Sequence, residues 1–343
     1  MPDRIRLTIR SVTRETEDTY TYQFEPERPI TYQAGQFFTL LLTINGRELR
    51  RSYSLSTDPG TDAFPAVTVK RIPNGEVSRF ILDYWEEGTS TATSPAAGKF
   101  VLPVSDTPRD IFLVAAGSGI TPMLGLIKQV LRTEPKSQIH LLYSNRKPEQ
   151  TIFYDTLNQL QQQHPAQLHI HYYFSNGKHI EKARLTVSNL ENTIQSSLTF
   201  APADARFFIC GPFEYMQMTR IGILSLGYTK EQLLQENFDP QTIPPPPRAP
   251  WMDLPPQQVT FVDFDGTYEF EVKSDETILD AALRQDIPLP YSCQGGACSS
   301  CMLKCKEGKV EMHYNEVLTD EDIAEGWVLT CTGHPMKPSV LEI

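Results

Sequence analysis

Four cysteines near the C-terminus have a spacing that few binding loops share. Cys293, Cys298 and Cys301 form a C-x4-C-x2-C run, and Cys331 follows thirty residues further on. This arrangement is typical of a plant-type [2Fe–2S] site, whereas structural zinc sites pair their cysteines as two C-x2-C knuckles. The spacing therefore predicts that the four thiolates bind an iron–sulfur cluster. The alternatives are a structural zinc ion and thiols with no shared role.

The residues between these cysteines are mostly small, which lets a loop wrap closely around a cluster and direct backbone N–H groups at its sulfurs. Cys305 fits no ligand position and is expected to be a packed strand residue. Six cysteines in 343 residues are too few for a disulfide scaffold. The pattern therefore favours a metal site in a reducing, cytoplasmic compartment.

A proline-rich segment separates the cysteine region from the rest of the chain. Eight of the twenty residues 239–258 are proline, a composition that excludes a helix or a central strand. It predicts an extended linker of polyproline type. Domains average about 150 residues, so we expect two or three folded units in this chain of 343 residues. Residues 259–343, after the linker, form the last of them.

The residue pattern of the chain before the linker changes near residues 103–110. Upstream, short runs rich in Val, Thr, Tyr and Phe are broken by Gly, Pro and Asn, which predicts a small antiparallel β-barrel over residues 1–105. Downstream, apolar runs alternate with helical stretches, which predicts a parallel sheet with crossover helices over residues 106–238. The helical stretches are Pro122–Arg132, Ile152–Gln163 and Phe213–Leu226.

The charge is unevenly distributed along the chain. Residues 259–343 contain 16 Asp and Glu against 6 Lys and Arg, and the remaining residues contain 26 against 25. An acidic module repels nucleic acid and anionic lipid and favours docking to a basic protein surface, although the charge could also serve only solubility.

No stretch approaches eighteen apolar residues, and charges are spaced through residues 1–10, so neither a membrane span nor a secretion signal is expected.

A first binding motif, Arg51-Ser-Tyr53-Ser54, directly follows a predicted barrel strand. An arginine presents a fixed fork of N–H groups to a pyrophosphate. A tyrosine face and a serine hydroxyl suit a flat ring with a polar edge nitrogen. The motif predicts a site for a nucleotide-like cofactor, and the alternative is an ordinary hairpin.

A second segment, Gly75-Glu-Val77-Ser78, supports the first. It places a glycine turn before a helix for which Ser78 is the expected N-cap. The free N–H groups at the start of such a helix can hold phosphate. The alternative is a helix that is capped in the ordinary way and binds nothing.

Two further turns resemble nucleotide-phosphate sites. The first reads Gly117-Ser118-Gly119-Ile-Thr121-Pro122, without the full G-x-G-x-x-G. Its glycines permit close backbone approach, and Thr121 is the expected cap of a helix that starts at Pro122. The second reads Cys210-Gly211-Pro212 and also joins a strand to a helix with proline at its start. Two such turns can flank one ligand at the carboxyl edge of a parallel sheet. Cys210 would then point into the cleft, unless it is a small buried core residue.

The last run before the linker contains Glu236 and Phe238. A phenylalanine is a core residue by default, but at this position, where the chain passes back toward the first unit, its ring also suits contact with a flavin. His169 and His171 lie two residues apart on one strand face. No third ligand accompanies them, so a metal site is not expected there.

Together these motifs resemble the ferredoxin–NADP reductase superfamily fused at its C-terminus to a plant-type ferredoxin. Their order along the chain is Arg51-x-Tyr53-Ser54, Gly75-x-x-Ser78, Gly117 to Pro122, Cys210-Gly211-Pro212, Glu236-x-Phe238 and the four cysteines. The layout is similar to that of the phenylacetyl-CoA epoxidase reductase subunit and of reductases of multicomponent oxygenases. The resemblance spans essentially the whole chain and implies an FAD-binding antiparallel β-barrel, an α/β NAD(P)-binding domain with a parallel sheet, and a β-grasp-like α+β ferredoxin domain.

The resemblance also implies a role for each motif. Arg51 would bind the flavin pyrophosphate, Tyr53 would pack on the flavin and Ser54 would approach its N5 atom. Ser54, Cys210, Glu236 and Phe238 would lie beside the reacting rings. Phosphate and nicotinamide dinucleotide would be held by Gly75, Val77, Ser78, Gly117, Ser118, Gly119, Thr121, Pro122, Cys210, Gly211 and Pro212.

These parts have complementary redox chemistry. A nicotinamide delivers two electrons as a hydride, an iron–sulfur cluster accepts one at a time, and a flavin can link the two. The sequence is therefore interpreted as an NAD(P)H-dependent reductase that passes electrons through FAD and a [2Fe–2S] cluster to an oxygenase component or another acceptor protein. The alternatives are a self-sufficient quinone or nitro reductase and a non-catalytic electron carrier or structural zinc protein. In reductases that prefer NADPH, the serine of the third strand is often followed by arginine. Here Ser175 is followed by Asn176, which leaves both NADH and NADPH open as the electron donor.

Overall fold

The computed structural model describes residues 4–177, 183–238, 245, 249–264 and 266–343. The strands are β1 (Ile5–Thr16), β2 (Thr19–Pro26), β3 (Phe37–Ile44), β4 (Arg47–Ser54), β5 (Ala66–Lys70), β6 (Ser90–Thr93), β7 (Asp110–Ala116), β8 (Gln138–Asn145), β9 (Leu168–Phe174), β10 (Arg206–Cys210), β11 (Leu233–Glu236), β12 (Gln257–Asp263), β13 (Gly266–Val272), β14 (Met302–Met312), β15 (Trp327–Leu329) and β16 (Gly333–Glu342). The helices are α1 (Glu76–Tyr84), α2 (Ile120–Thr133), α3 (Tyr154–Gln163), α4 (Val187–Ser197), α5 (Phe213–Ser225), α6 (Ile278–Arg284) and α7 (Asp320–Ala324). None of the described helices is long and apolar enough to cross a membrane.

Strands β1 to β6 form the N-terminal barrel. Their order is β4-β3-β6-β1-β2-β5, and a bridge between Leu55 and Val67 joins the two outer ends of the sheet. Along β1, Leu7 and Ile9 are buried while the residues between and beside them are more exposed. This period of two places one face of each strand inside the barrel. The predicted antiparallel barrel is confirmed.

Strands β7 to β11 form a parallel sheet of order β11-β10-β7-β8-β9. Helices α2 and α3 pack on one face, and α4 and α5 pack on the other. The chain adds β8 and β9 on one side of β7 and then returns to place β10 on the other side. At such a reversal the loops after the two neighbouring strands diverge and leave a crevice at the carboxyl edge. The predicted parallel sheet with crossover helices is confirmed.

Helix α1 begins earlier than the sequence predicts. Gly75 is its cap, and Ser78 lies inside the first turn, so the prediction of Ser78 as N-cap is wrong. The hydroxyl oxygen of Ser78 instead accepts a hydrogen bond of 3.1 Å from the backbone N–H of Ile72. Ser78 therefore fixes the loop before the helix and does not cap the helix itself.

Helix α2 also begins earlier, because a 3-10 turn at Gly117–Gly119 leads directly into it. Its cap is Gly119, and Thr121 and Pro122 are its second and third residues, so the predicted cap at Thr121 is wrong. A Cβ atom on Gly119 would lie 2.1 Å from the carbonyl oxygen of Cys210. Only glycine allows this close approach of the two turns. At the second turn Pro212 is the cap residue directly before Phe213.

The C-terminal sheet has the order β13-β12-β16-β14-β15. Strands β12 and β16 are parallel, and the pairs β12–β13, β14–β15 and β14–β16 are antiparallel. Helix α6 buries Ile278, Leu279, Ala281 and Ala282 against this sheet. A hairpin, a crossing helix and a central parallel pair give the expected β-grasp-like α+β arrangement. Cys305 lies on β14 and packs against this core, as predicted.

Nine of the twenty residues of the predicted linker, 239–244 and 246–248, lie outside the described residues. Its described end is not extended as predicted. Residues 249–254 form turns, in which Met252 and Leu254 donate backbone hydrogen bonds to Ala249 and Trp251. The Trp251 ring stacks on His334 at 4.2 Å. Burial of an aromatic ring against the module outweighs the polyproline preference here.

Candidate functional site

The four predicted ligand cysteines meet in the C-terminal module, where the loop with Cys293, Cys298 and Cys301 faces Cys331 in the turn between β15 and β16. The Sγ atoms of Cys301 and Cys331 are 3.2 Å apart, and hydrogen bonds connect Cys293 with Cys298 and Cys331. Hydrogen bonds among the four thiols lower the pKa of Cys293 and of Cys301 and raise the pKa of Cys298 and of Cys331, so the cluster favours two thiolates before any metal binds. A thiolate is the form that binds metal. The structure therefore assembles an all-sulfur donor set, which fits an iron–sulfur cluster.

Backbone N–H groups of the same loop point at these sulfurs, as the sequence predicts. The N–H of Gly295 donates to Cys293 Sγ at 3.4 Å, and the N–H of Gly296 donates to Cys331 Sγ at 3.3 Å. Gly296 has a φ of +73° and packs against the Tyr314 carbonyl, so a larger residue would be strained there. Hydrogen bonds of this kind tune the reduction potential of a bound cluster.

The flavin motif lies at the end of β4. Arg51 is exposed, Tyr53 is half-buried against the barrel core and Ser54 is buried. The Ser54 hydroxyl donates a hydrogen bond of 2.8 Å to Oε2 of Glu236 at the end of β11. The barrel and the parallel sheet thus meet at this pair, within one compact unit. An accessible guanidinium, an aromatic face and a buried hydroxyl in sequence fit a pyrophosphate with a flat ring.

Burial has a strong effect on the acid in this pair. It raises the pKa of Glu236 to about 7, and the hydrogen bond from Ser54 offsets only part of that effect. Cys210 faces Glu236 in the register of β10 and β11. Burial and then the Glu236 carboxylate raise the pKa of the Cys210 thiol well above its ordinary value. The site therefore favours a neutral thiol and a carboxyl group that titrates near neutral pH.

Cys210 is a buried core residue, which was the alternative to a position in the cleft, whereas Phe238 lies outside the core in which a phenylalanine is expected by default. Cys210 is fully buried in the apolar cluster beneath the sheet, so the prediction that it points into an open cleft is wrong. Burial in the core provides the apolar contacts that a thiol prefers. Phe238 is 45% exposed, so its ring is not part of the core and has a face available to a flat partner.

The two nucleotide turns lie side by side at the switch point of the sheet. Gly117 follows β7 and Gly211 follows β10, and these strands are neighbours. Apart from Gly117 itself and its chain neighbours, no atom of the described residues lies within 4 Å of the position that a Cβ on Gly117 would occupy. The turn is therefore open on that side, which leaves room for a pyrophosphate against its backbone. Ser118 is half-buried and Thr121 is buried below the turn.

Two tyrosines that the sequence reasoning missed support these turns. The hydroxyl of Tyr143, at the end of β8, donates to the Gly117 carbonyl at 3.0 Å. The hydroxyl of Tyr215, on α5, donates to the Ala115 carbonyl at 3.1 Å. The sequence signal for this supporting role was the position of both tyrosines close to the carboxyl edge of the predicted sheet. His169, in contrast, pairs with Gln138 and stacks on His140 at the opposite edge.

The phosphate segment at α1 has an uncapped start. Gly75 provides no side-chain hydrogen bond to the helix, and Val77 and Ser78 are buried behind it. The first N–H groups of a helix carry partial positive charge and can bind an anion when no side chain caps them. This arrangement fits a phosphate group next to the flavin motif.

Three family models match the chain in order. They are an oxidoreductase FAD-binding domain at residues 6–101, an oxidoreductase NAD-binding domain at residues 113–220, and a 2Fe-2S iron-sulfur cluster binding domain at residues 262–336. A subunit of 1,2-phenylacetyl-CoA epoxidase from Escherichia coli is 33% identical over 98% of this chain and 96% of its own length. The chain belongs to the family of flavoprotein oxygenase reductases that carry a C-terminal [2Fe–2S] ferredoxin domain.

Other members of this reductase family agree with the assignment. The ferredoxin reductase component of 3-ketosteroid-9-alpha-monooxygenase from Rhodococcus rhodochrous is 31% identical over 96% of this chain and 94% of its own length. The solved structure of phthalate dioxygenase reductase is 25% identical and superposes with a TM-score of 0.61, covering 98% of this chain and 97% of that one. This reductase is therefore an oxidoreductase with FAD, nicotinamide dinucleotide and [2Fe–2S] cofactors, and it passes electrons from NAD(P)H through FAD and the cluster to an acceptor.

Proposed function

We propose that the acceptor of this reductase is an oxygenase component and that the acidic ferredoxin module docks it. The support is twofold. The relatives described above belong to oxygenase systems, and residues 259–343 carry an excess of ten acidic over basic side chains, 16 against 6. Complementary charge accelerates the encounter of two proteins and orients them.

When bound, FAD, the nicotinamide dinucleotide and the cluster supply hydride and one-electron transfer chemistry. The residues of the chain hold and orient these groups. Arg51 binds the flavin pyrophosphate, Tyr53 packs on the ring, and Ser54 with Glu236 holds a proton at the ring edge. Phe238 completes this site, and Cys210 packs beneath it in the apolar core. Phosphate and dinucleotide are held at Gly75, Val77, Ser78, Gly117, Ser118, Gly119, Thr121, Pro122, Gly211 and Pro212, and the cluster is held by Cys293, Cys298, Cys301 and Cys331.

Three further assignments belong to the same proposal. The modules extend over residues 1–105, 106–238 and 259–343, with a linker at 239–258. The donor is a nicotinamide dinucleotide, NADH or NADPH, since the Ser175-Asn176 pair leaves both open. The protein works in the cytoplasm, where a reducing environment keeps its cysteines from forming disulfides.

The convergence of the four cysteine sulfurs is the observation that carries this function. Analysis of freshly purified protein for iron, acid-labile sulfide and flavin tests it, together with an absorption spectrum before and after anaerobic addition of NADH. We expect FAD and two iron atoms per chain and bleaching of both sets of bands. Zinc without iron would contradict the proposal.

Docking is tested with a purified oxygenase component as the acceptor. The rate with this partner should fall as ionic strength rises from about 0.01 to about 0.15 M, because the Debye length shrinks from about 30 to about 8 Å. The rate with ferricyanide measured in parallel is the control for salt effects inside the reductase. Equal salt dependence with both acceptors would rule out electrostatic docking.

A further inference from the structure

Helix α2 connects the first nucleotide turn to the barrel. Gly125, Lys128 and Arg132 are spaced three and four residues apart, so they form one stripe along the helix. This stripe packs on residues 57–62, which we call the barrel turn and which begins three residues after Ser54. The helix and the barrel turn lie in the same compact unit.

Two ion pairs join the stripe to the barrel turn. Arg132 donates from Nε and Nη2 to the two carboxylate oxygens of Asp58, both at 2.9 Å. Lys128 Nζ donates to the two carboxylate oxygens of Asp62 at 2.7 and 3.0 Å. A bidentate arginine–carboxylate pair fixes direction as well as distance. Both pairs therefore restrict rotation and sliding of the helix on the turn.

The backbone approaches between the same elements are close. A Cβ on Gly125 would lie 2.7 Å from the Thr57 carbonyl oxygen, and one on Gly60 would lie 2.1 Å from the Arg132 guanidinium carbon. The barrel turn is also fixed internally, because the N–H of Asp58 donates to the carboxylate of Asp62 at 2.9 Å. Helix and turn therefore meet as two stiff surfaces.

We propose that Lys128 and Arg132 are positioning residues that set the nicotinamide against the flavin. One end of α2 continues the turn at Gly117–Gly119, and its other half is fixed to the segment that follows Ser54. Hydride transfer is sensitive to geometry, since a displacement of about 1 Å can cost about 100-fold in rate. The inference rests on the proposed function of these two motifs.

Substitutions of Lys128 in the full-length holoprotein test this role, because the Asp62 carboxylate also accepts the Asp58 N–H and has to be kept. Lys128→Asp places two carboxylates together, and Lys128→Arg keeps a positive charge beside Asp62. Lys128→Asp should reduce its flavin about tenfold more slowly at saturating NADH, and Lys128→Arg should stay within about twofold of the wild-type rate. The nicotinamide–flavin charge-transfer absorbance should weaken in Lys128→Asp and not in Lys128→Arg, with NADH affinity and FAD content unchanged in both.

Arg132→Gln gives a second measurement at the bidentate pair, and Arg132→Lys should restore part of the rate. The matched control is Arg284→Gln, because Arg284 forms a bidentate pair with Glu276 on the C-terminal module, at 3.0 and 2.6 Å. The control should leave the rate of flavin reduction unchanged.

Wild-type rates in both Lys128→Asp and Arg132→Gln would overturn the positioning role. So would slow reduction accompanied by loss of FAD in both Lys128→Asp and Lys128→Arg, because that result would assign the pairs to folding. If neither NADH nor NADPH reduces the flavin of the wild-type protein, the proposed function fails and this inference fails with it.

Discussion

Ser54 donates a hydrogen bond of 2.8 Å to Glu236, which lies 182 positions later in the chain. Ser54 ends a strand of the barrel and Glu236 ends a strand of the parallel sheet. Burial raises the pKa of Glu236 to about 7. The junction of the two folds therefore contains a carboxyl group whose charge changes near neutral pH.

The rate of flavin reduction is expected to fall as pH rises through about 7. Ionised Glu236 would place a negative charge beside a ring that is gaining electrons, and a protonated Glu236 can supply a proton through Ser54. Glu236→Gln should give a profile without this transition, because the amide stays neutral. Stopped-flow measurement at saturating NADH across the neutral range checks this, and an unchanged transition in the variant would contradict it.

The raised pKa of Glu236 also predicts that the free energy of unfolding depends on pH. Because folding raises its pKa from 4.5 to about 7, the stabilisation by protonated Glu236 is fully present below about 4.5 and is lost as pH rises through about 7. The shift corresponds to about 3 kcal/mol between these limits. The melting temperature of the wild type should therefore fall relative to that of Glu236→Gln as pH rises from about 4.5 to about 7, and the difference should stay constant above that. Equal pH dependence of the two proteins would rule out this linkage.

Cys298→Ser is expected to lose the cluster but keep FAD, since its ligand loop lies in the C-terminal module. Reduction of ferricyanide, which can take electrons from flavin directly, should persist, and reduction of cytochrome c or of an oxygenase component should be lost. Cys305→Ser is the matched control, because Cys305 lies on β14 and donates to the Glu307 carbonyl. Loss of both activities in Cys298→Ser would contradict a linear route through the cluster.

Arg51→Ala should weaken FAD binding by about one to two orders of magnitude, because a charge-assisted bond to phosphate contributes about 1.5–3 kcal/mol. Flavin retained after dilution and gel filtration measures the effect. Arg10→Ala removes another exposed arginine of the barrel, which stacks on Phe64, and should retain FAD. Full flavin occupancy in Arg51→Ala would argue against the assigned role.

Asp110→Asn should destabilise the parallel sheet by about 1–3 kcal/mol at neutral pH. Asp110 is buried and accepts hydrogen bonds from His140 and from the N–H groups of Thr199 and Phe200. Burial alone would raise its pKa, but these bonds lower it below 3.8 overall. The stabilisation is therefore present above that value and is lost only as pH falls through the lower folded pKa. Thermal unfolding at pH 7 checks this, with the exposed Asp106→Asn as control.

The features that were predictable from sequence are those encoded locally. The cysteine ligands are recognisable because one loop must supply Cys293, Cys298 and Cys301 at fixed spacing. The nucleotide turns are recognisable because a buried strand must end in small residues before a helix begins. The order of the three modules follows from these motifs and from the proline content between them.

The helix starts and the long-range pairs were not predictable. Gly119 caps α2 because the carbonyl of Cys210 packs against it, and no pattern around Thr121 reports that contact. The partners Ser54 and Glu236 are far apart in the chain, so only the folded arrangement shows that they meet. Cys210 is buried for the same reason, since its neighbours come from other strands.

The stripe on α2 restricts how the length of this helix can vary. An α-helix turns by about 100° per residue, so one inserted residue before Lys128 would rotate Lys128 and Arg132 away from Asp58 and Asp62. Both ion pairs would be lost although every side chain was kept. Single insertions and deletions are therefore expected after Thr133, where α2 ends, and not between the first nucleotide turn and Arg132.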